Sequence, residues 1–293
     1  MTDPAASWVR YPPLRQVTIP GYRLQKRLAT GTFASVFLAT GIADQQQIAV
    51  KVIRHDGGED AKVLTRLMQE HQLVSRLDSR HIVRVFERGL CEDYGFIAME
   101  YCSHGDLWYQ LRRRRLEPAQ SIAILRQIGL GLAAAHKRRV IHRDLKPANV
   151  LLRDAKTVAL GDFGAACELE NGERRGRKRA LAGTPAYASP EVIQCGEVDG
   201  RADLYSAGVI LYQMVTGTLP YRGPSMNQML EAHVHARVPR LQGALAMLQP
   251  LIDGLLAKDP DDRFQSAEEL LAGLKWIAHQ QGWPCPSLKT VIQ

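Results

Sequence analysis

An α+β fold is what this sequence predicts, on three observations. Ile48-Ala49-Val50-Lys51 alternates apolar residues as a buried strand does, and Gly95-Phe96-Ile97-Ala98-Met99-Glu100-Tyr101-Cys102 reads as a second strand running into a connection. Between them Leu64, Leu67, Met68, His71 and Val74 recur at helical spacing, which predicts an amphipathic helix. Farther on, Leu204 to Thr216 is apolar nearly all round, so that helix belongs at the centre of its body. Ile128 to Ala135 is also apolar but short and interrupted by glycine.

The chain has 293 residues, which suggests one or two domains, and its 45% hydrophobic and 23% charged content is that of a soluble globular protein. It opens with no charged-then-apolar signal segment and contains no run of about 18 apolar residues, so a cytoplasmic location without a transmembrane segment is expected. Five cysteines (Cys91, Cys102, Cys167, Cys195, Cys285) are odd in number and lack C-x-x-C spacing, which fits free thiols better than disulfides or a zinc site. His233 and His235 sit two apart, on different faces of a helix, which argues against a metal site there. A formal charge of +8 and the runs Arg112 to Arg115 and Arg174-Arg175-Gly176-Arg177-Lys178-Arg179 raise nucleic acid as a partner. Neither run has interleaved aromatics, so the expectation is no specific nucleic acid and a weak attraction to acidic partners.

Two segments carry the chemistry: His142-Arg143-Asp144-Leu145-Lys146-Pro147-Ala148-Asn149, and Gly161-Asp162-Phe163-Gly164. They place carboxylates and an amide oxygen at fixed offsets, the hard oxygen ligands that Mg²⁺ takes, together with a carboxylate able to orient a weakly acidic hydroxyl. The chain resembles the serine/threonine protein kinases. That resemblance implies a two-lobed protein kinase fold, with a small β-rich N-lobe containing helix C and a larger, mainly α-helical C-lobe. It implies Asp144 as the base that accepts the substrate hydroxyl proton, Asn149 and Asp162 as the metal ligands, and ATP with Mg²⁺, or Mn²⁺ in its place, as cofactors. Lys51 would hold the α- and β-phosphates and pair with Glu70, whose alternative is a solvated surface acid.

Upstream, Leu28-Ala29-Thr30-Gly31-Thr32-Phe33-Ala34-Ser35-Val36 resembles the loop that covers ATP phosphates, but it keeps only the middle glycine. Alanine at 29 and 34 adds a Cβ and restricts the backbone, so a stiffer cover is expected; by itself the segment reads as a plain β-hairpin. The resemblance further assigns adenine to backbone groups of Glu100 and Cys102, with Met99 guarding the rear pocket and Val36, Ala49 and Leu151 sandwiching the ring. Asp106 would contact ribose. Gly183-Thr184-Pro185-Ala186-Tyr187-Ala188-Ser189-Pro190-Glu191 matches the substrate-docking loop; Thr184 and Lys146 are what serine/threonine kinases set beside the base. Glu191 is expected to pair with Arg263, and Asp203 to brace the catalytic loop without taking part in catalysis.

The resemblance spans Tyr22 to Ile277. The domain expectation is a tail over 1–20, a kinase domain over 21–278 (N-lobe 21–101, C-lobe 102–278) and a tail over 279–293. The function implied is transfer of the ATP γ-phosphate to Ser or Thr of protein substrates, acidic or already phosphorylated ones fitting the basic run. The alternative is a pseudokinase-type binding scaffold, motivated by the two alanines. From Ala165 to Ala182 the chain has no Ser, Thr or Tyr, so the loop phosphate that commonly pairs with an arginine such as Arg143 cannot form. One reading puts a carboxylate of Glu168, Glu170 or Glu173 in its place; the other is a solvated loop.

Overall fold

A computed structural model describes residues 17–31, 34–54, 61–91, 94–169 and 184–283. Thr32, Phe33, Glu170, Glu173, the run 174–179, Gly183 and Cys285 therefore lie outside the described residues. The chain forms two compact units: Met1–Ser75 with Arg84–Tyr101, and Arg76–Val83 with Cys102–Gln293. This is the two-lobed α+β arrangement, with the sheet in the first unit and most helices in the second.

The first unit is a five-stranded antiparallel sheet of order β1-β2-β3-β5-β4, built from β1 (Tyr22–Thr30), β2 (Ser35–Gly41), β3 (Gln47–Arg54), β4 (Val85–Leu90) and β5 (Tyr94–Glu100). Helix α1 (Ala61–Val74) joins β3 to the rest, as the helical spacing around residues 64–74 predicts. Register sorts the side chains. Val36 lies opposite Lys51 and Leu38 opposite Ala49, while Lys51 also faces Ile97 and Ala49 faces Met99. Directly paired residues share a face, so Val36, Leu38, Ala49, Lys51, Ile97 and Met99 form one side. Phe37, Ala39, Ile48, Val50, Val52, Phe96 and Ala98 occupy the other and are sealed by Val17 and Ile19. A one-residue slip would exchange the two sets and bury Lys51 among apolar groups.

The second unit is organised around α3 (Pro118–Lys137) and α5 (Arg201–Thr216), with α3 packed on α8 (Ala267–Gln280) and α5 on α7 (Gln249–Leu256). Shorter α2 (Leu107–Leu111), α4 (Pro190–Ile193) and α6 (Met226–His235) complete the helices among the described residues. As its all-round apolarity predicts, α5 is buried along nearly its whole length. Gly208 permits its close approach to α7, since a Cβ there would lie 2.6 Å from that of Leu255, and Gly217 ends the helix at φ +76. Two small ladders, β6 (Val140–Ile141) with β9 (Cys167–Glu168) and β7 (Val150–Leu152) with β8 (Val158–Leu160), frame the segment His142–Asn149. Among the described residues no helix is long and apolar enough to cross a membrane.

Glu191 and Arg263, 72 positions apart, meet as the sequence predicts. Both guanidinium nitrogens approach the carboxylate at 2.7 Å, and the remaining N–H groups donate to the carbonyls of Ala257, Lys258 and Arg201. The arginine side chain is fully buried, so its planar fork of five donors is used up within the fold. Arg263→Met is expected to leave Glu191 charged and uncompensated, lowering stability by about 3–5 kcal/mol. Chemical denaturation read by circular dichroism checks this; a loss within the range of a surface substitution would show that the pair is dispensable.

Candidate active site

Strand β6 delivers the chain to His142-Arg143-Asp144, where the backbone leaves regular structure: Arg143 has φ +64, a left-handed conformation costly for a side-chain-bearing residue. Its N–H groups cannot join a ladder, and Asp203 supplies the acceptors instead. One carboxylate oxygen takes the N–H of Arg143 at 2.9 Å; the other takes that of His142 at 2.9 Å and bonds His136 Nε2 at 2.8 Å. Burial alone would raise the Asp203 carboxyl, but the His136 bond, the charge of His136 and the His142 N–H outweigh it and hold the group below the usual carboxylate range. Asp203 thus braces the catalytic loop, as expected, from the first turn of α5.

His142 ties the two motifs together. Its Nε2 donates to the carbonyl of Gly161 at 3.1 Å, its Nδ1 accepts the N–H of Asp144 at 3.3 Å, and its ring lies 4.5 Å from that of Phe163. A carbonyl only accepts, so the neutral tautomer with hydrogen on Nε2 satisfies both bonds. Asp162, next in line, is exposed and has φ +57.

The Asp144 carboxylate sits in a closed ring of three side chains. Lys146 Nζ donates to Oδ2 at 2.7 Å and to Thr184 Oγ1 at 2.8 Å, while Thr184 Oγ1 donates to Asp144 Oδ1 at 2.9 Å. Asn149 Nδ2 donates to the Asp144 carbonyl at 2.8 Å, which aims its amide oxygen the other way. These four residues, dispersed over 40 positions, are brought together as the sequence predicts.

In the first unit Lys51 Nζ meets Glu70 at 2.7 and 3.0 Å, with both side chains largely buried. The ion-pair reading of Glu70 therefore holds over the surface-acid reading. The segment before it is a hairpin closed by Gly31 N–H to Ala34 O at 2.8 Å, with Ala29 opposite Val36 and bulges in β1 near Leu24 and Arg27. Ser35 pairs with Val52, so its side chain shares the face opposite to Lys51. Glu100 N–H donates to Arg84 O at 2.9 Å. In the second unit Asp106 caps α2 by accepting the N–H of Tyr109 at 2.7 Å, and burial pushes its carboxyl up against the pull of that bond. Cys102 is buried where the chain re-enters this unit, and Leu151 on β7 pairs with Ala159 on β8.

One local expectation resolves differently. Glu168 pairs with Arg76 at 3.5 Å rather than with Arg143, whose buried Nε has no hydrogen-bond partner among the described residues. The run at 112–115 contains no aromatics, but it packs on two that precede it: Arg112 lies over Trp108 at 4.7 Å and Arg113 over Tyr109 at 5.3 Å, one helical turn back. His136 was invisible as a site-supporting residue, because a histidine late in an apolar helix carries no signal of its distant partner Asp203.

A small antiparallel sheet with one buried lysine–glutamate pair, and a helical body holding an Asp-Lys-Thr-Asn cluster, define a protein kinase domain. Residues 22–277 match the family model described as the protein kinase domain, and the chain belongs to the eukaryotic-type serine/threonine protein kinases. It is 33% identical over 273 residues to serine/threonine-protein kinase PknL of Mycobacterium tuberculosis, covering 90% of this chain and 67% of that protein. It is 34% identical over 280 residues to PknJ of the same organism, covering 91% and 47%, and 29% identical over 259 residues to PrkC of Bacillus subtilis, covering 87% and 40%. The chain thus spans about half or less of the latter two proteins.

Asp203→Asn is expected to lower activity and alter acid stability. The depressed carboxyl contributes stability fully above its unfolded value of about 3.9 and loses it as pH falls through the lower folded value. Thermal melts from pH 7 to 3 should show the wild-type advantage over Asp203→Asn shrinking below about pH 4; a pH-independent difference would overturn the assignment.

Proposed function

We propose that this protein kinase uses ATP and a divalent metal to phosphorylate serine or threonine in protein substrates, with Asp144 as base. The observation that carries this reading is the Asp144–Lys146–Thr184 ring. It holds a carboxylate in one orientation with a cation beside it and a hydroxyl already bonded to Oδ1 at 2.9 Å. A substrate hydroxyl that takes up a comparable bond is oriented for attack: its oxygen bonds to the γ-phosphorus, its proton passes to Asp144, the bond from the γ-phosphorus to the bridging oxygen breaks, and ADP leaves with that electron pair. Lys146 neutralises negative charge that gathers on the transferring group.

The donor set fits Mg²⁺. The Asn149 amide nitrogen is committed to the Asp144 carbonyl, leaving its oxygen as a hard donor, and Asp162 adds carboxylate oxygens on an exposed turn. When bound, the metal supplies charge neutralisation of the phosphate oxygens; Mn²⁺ shares that oxygen preference. Lys51, oriented by Glu70, is assigned to the α- and β-phosphates. Backbone groups of residues 28–36, the carbonyl of Glu100, Cys102, Asp106 and the apolar Val36, Ala49, Met99 and Leu151 are assigned to the nucleotide. The scaffold reading rests on Ala29 and Ala34; a scaffold has no use for the intact ring at Asp144, which favours the enzyme. A cytoplasmic location and substrates of acidic character belong to the same proposal.

Lys51→Met, Asp144→Asn and Asp162→Ala should each cut transfer of label from ATP by on the order of 10²–10⁴ while far-ultraviolet circular dichroism stays unchanged. Undiminished labelling by Asp144→Asn would remove that residue from its role. A second outcome follows from the missing loop hydroxyls. With Glu168 engaged by Arg76, the carboxylates left to face Arg143 are Glu170 and Glu173, and the kinase is expected to be active without loop phosphorylation. Phosphatase-treated protein should keep its activity on a peptide. Activity that disappears and returns only on rephosphorylation would sink this idea.

A further inference from the structure

Away from the catalytic cluster, the second unit contains a cavity of about 170 Å³ lined by Arg80, His81, Ala123, Arg126, Gln127 and Lys156. Three of the six are cations and none is a carboxylate. The frame is pinned from three sides. Gln127 on α3 donates to Lys156 O at 3.1 Å and accepts from Val158 N at 2.9 Å, joining α3 to the β7–β8 hairpin. Arg80 Nη2 donates to Thr157 Oγ1 at 3.3 Å. His81 is buried, and its Nδ1 meets Val158 O at 3.0 Å. Because that carbonyl only accepts, Nδ1 carries the hydrogen and Nε2 is the ring nitrogen left for another partner. The side chains of Arg126 and Lys156 have no hydrogen-bond or ion-pair partner among the described residues. Asp154, the acid in the same hairpin, is turned to the N–H of Lys156 and to Thr157 and does not line the cavity.

We propose that this cavity binds a phosphate-class oxyanion. Arginine and lysine gathered without a counter-ion repel one another, and a tetrahedral anion relieves that repulsion while accepting charge-assisted bonds that the fold leaves unmade. Gln127 and the buried histidine hold the walls in place, so little ordering is needed when the anion enters. His81 responds to the same field. Burial first, then the charges of Arg80, Arg153 and Arg126, hold the ring below its usual histidine range, against the opposing pull of Val158 O. An anion among those cations offsets them, so it should raise the His81 value and bind more tightly as pH falls. The phosphoryl group is either free in solution or carried on a phosphorylated protein segment; the chemistry is shared.

The test is nuclear magnetic resonance of the His81 ring, assigned by its loss in His81→Gln, in the full chain titrated at pH 6.5. One arm uses inorganic phosphate; the other uses a phosphothreonine peptide and its unphosphorylated form. Saturable shifts in the wild type, weakened about tenfold or more in Arg126→Gln/Lys156→Gln, are expected, with transfer activity on an unphosphorylated peptide unchanged. A phosphopeptide binding about tenfold tighter than inorganic phosphate assigns the anion to a protein segment, and equal affinity assigns it to free phosphate. No saturable His81 shift with either probe, or identical binding by the double variant, overturns the site.

Discussion

The buried carboxylate of Asp203 is what the catalytic segment depends on. A chain turning through φ +64 at Arg143 exposes two consecutive N–H groups that neither β6 nor the following turn can satisfy. Left alone in the interior, each would cost about 1–3 kcal/mol. Asp203 accepts both, and His136 on α3 holds the second oxygen, so three elements of the second unit agree on one loop position. Asp203 lies in the first turn of α5, where the helix dipole favours negative charge. The loop is irregular because the residues it must present point in a direction no strand allows, and the buried acid makes that irregularity stable.

Much of this was legible because the kinase motifs concentrate their chemistry in short stretches. Asp144, Lys146 and Asn149 stand within six positions, so the ring around Asp144 needed only Thr184 from afar. The strand at Ile48 to Lys51 and the helix near residues 64–74 follow from periodicity, and α5 from its all-round apolarity. The face carrying Lys51 was not legible. It depends on the register of β2, β3 and β5, and pairing partners leave no mark in a single strand. His136, and Arg201 with its bonds to Asp199, Asp261 and Gln265, were missed for the same reason: charged or polar residues look alike until the fold selects their partners.

The basic runs show how context changes the meaning of composition. Arg112 and Arg113 lie over Trp108 and Tyr109, so part of a run that reads as a free positive surface is folded onto its own helix. Arg80, Arg126 and Lys156 carry no such signature, being successively 46 and 30 positions apart, yet their side chains border one cavity. Net charge alone ranks the first group above the second; packing reverses the order.

The Glu191–Arg263 anchor holds one more cation than it has acids. Lys258 lies beside Arg263, and Glu191 answers only the arginine. Burial, then the neighbouring guanidinium, lowers the lysine to about 8. What offsets part of this is not a carboxylate. Its Nζ donates to the carbonyls of His233 at 2.5 Å and Ala232 at 3.3 Å in the last turn of α6, where the negative end of the helix dipole favours a cation, and it sits 3.8 Å from the centre of the Tyr221 ring. His233, packed against that tyrosine, is lowered to about 4 by burial and by Lys258 itself, so it stays neutral and adds no third charge. The carboxylate can therefore be reserved for the residue whose five donors fix the position of Glu191 and the start of α4, while the lysine is held by carbonyls and an aromatic face.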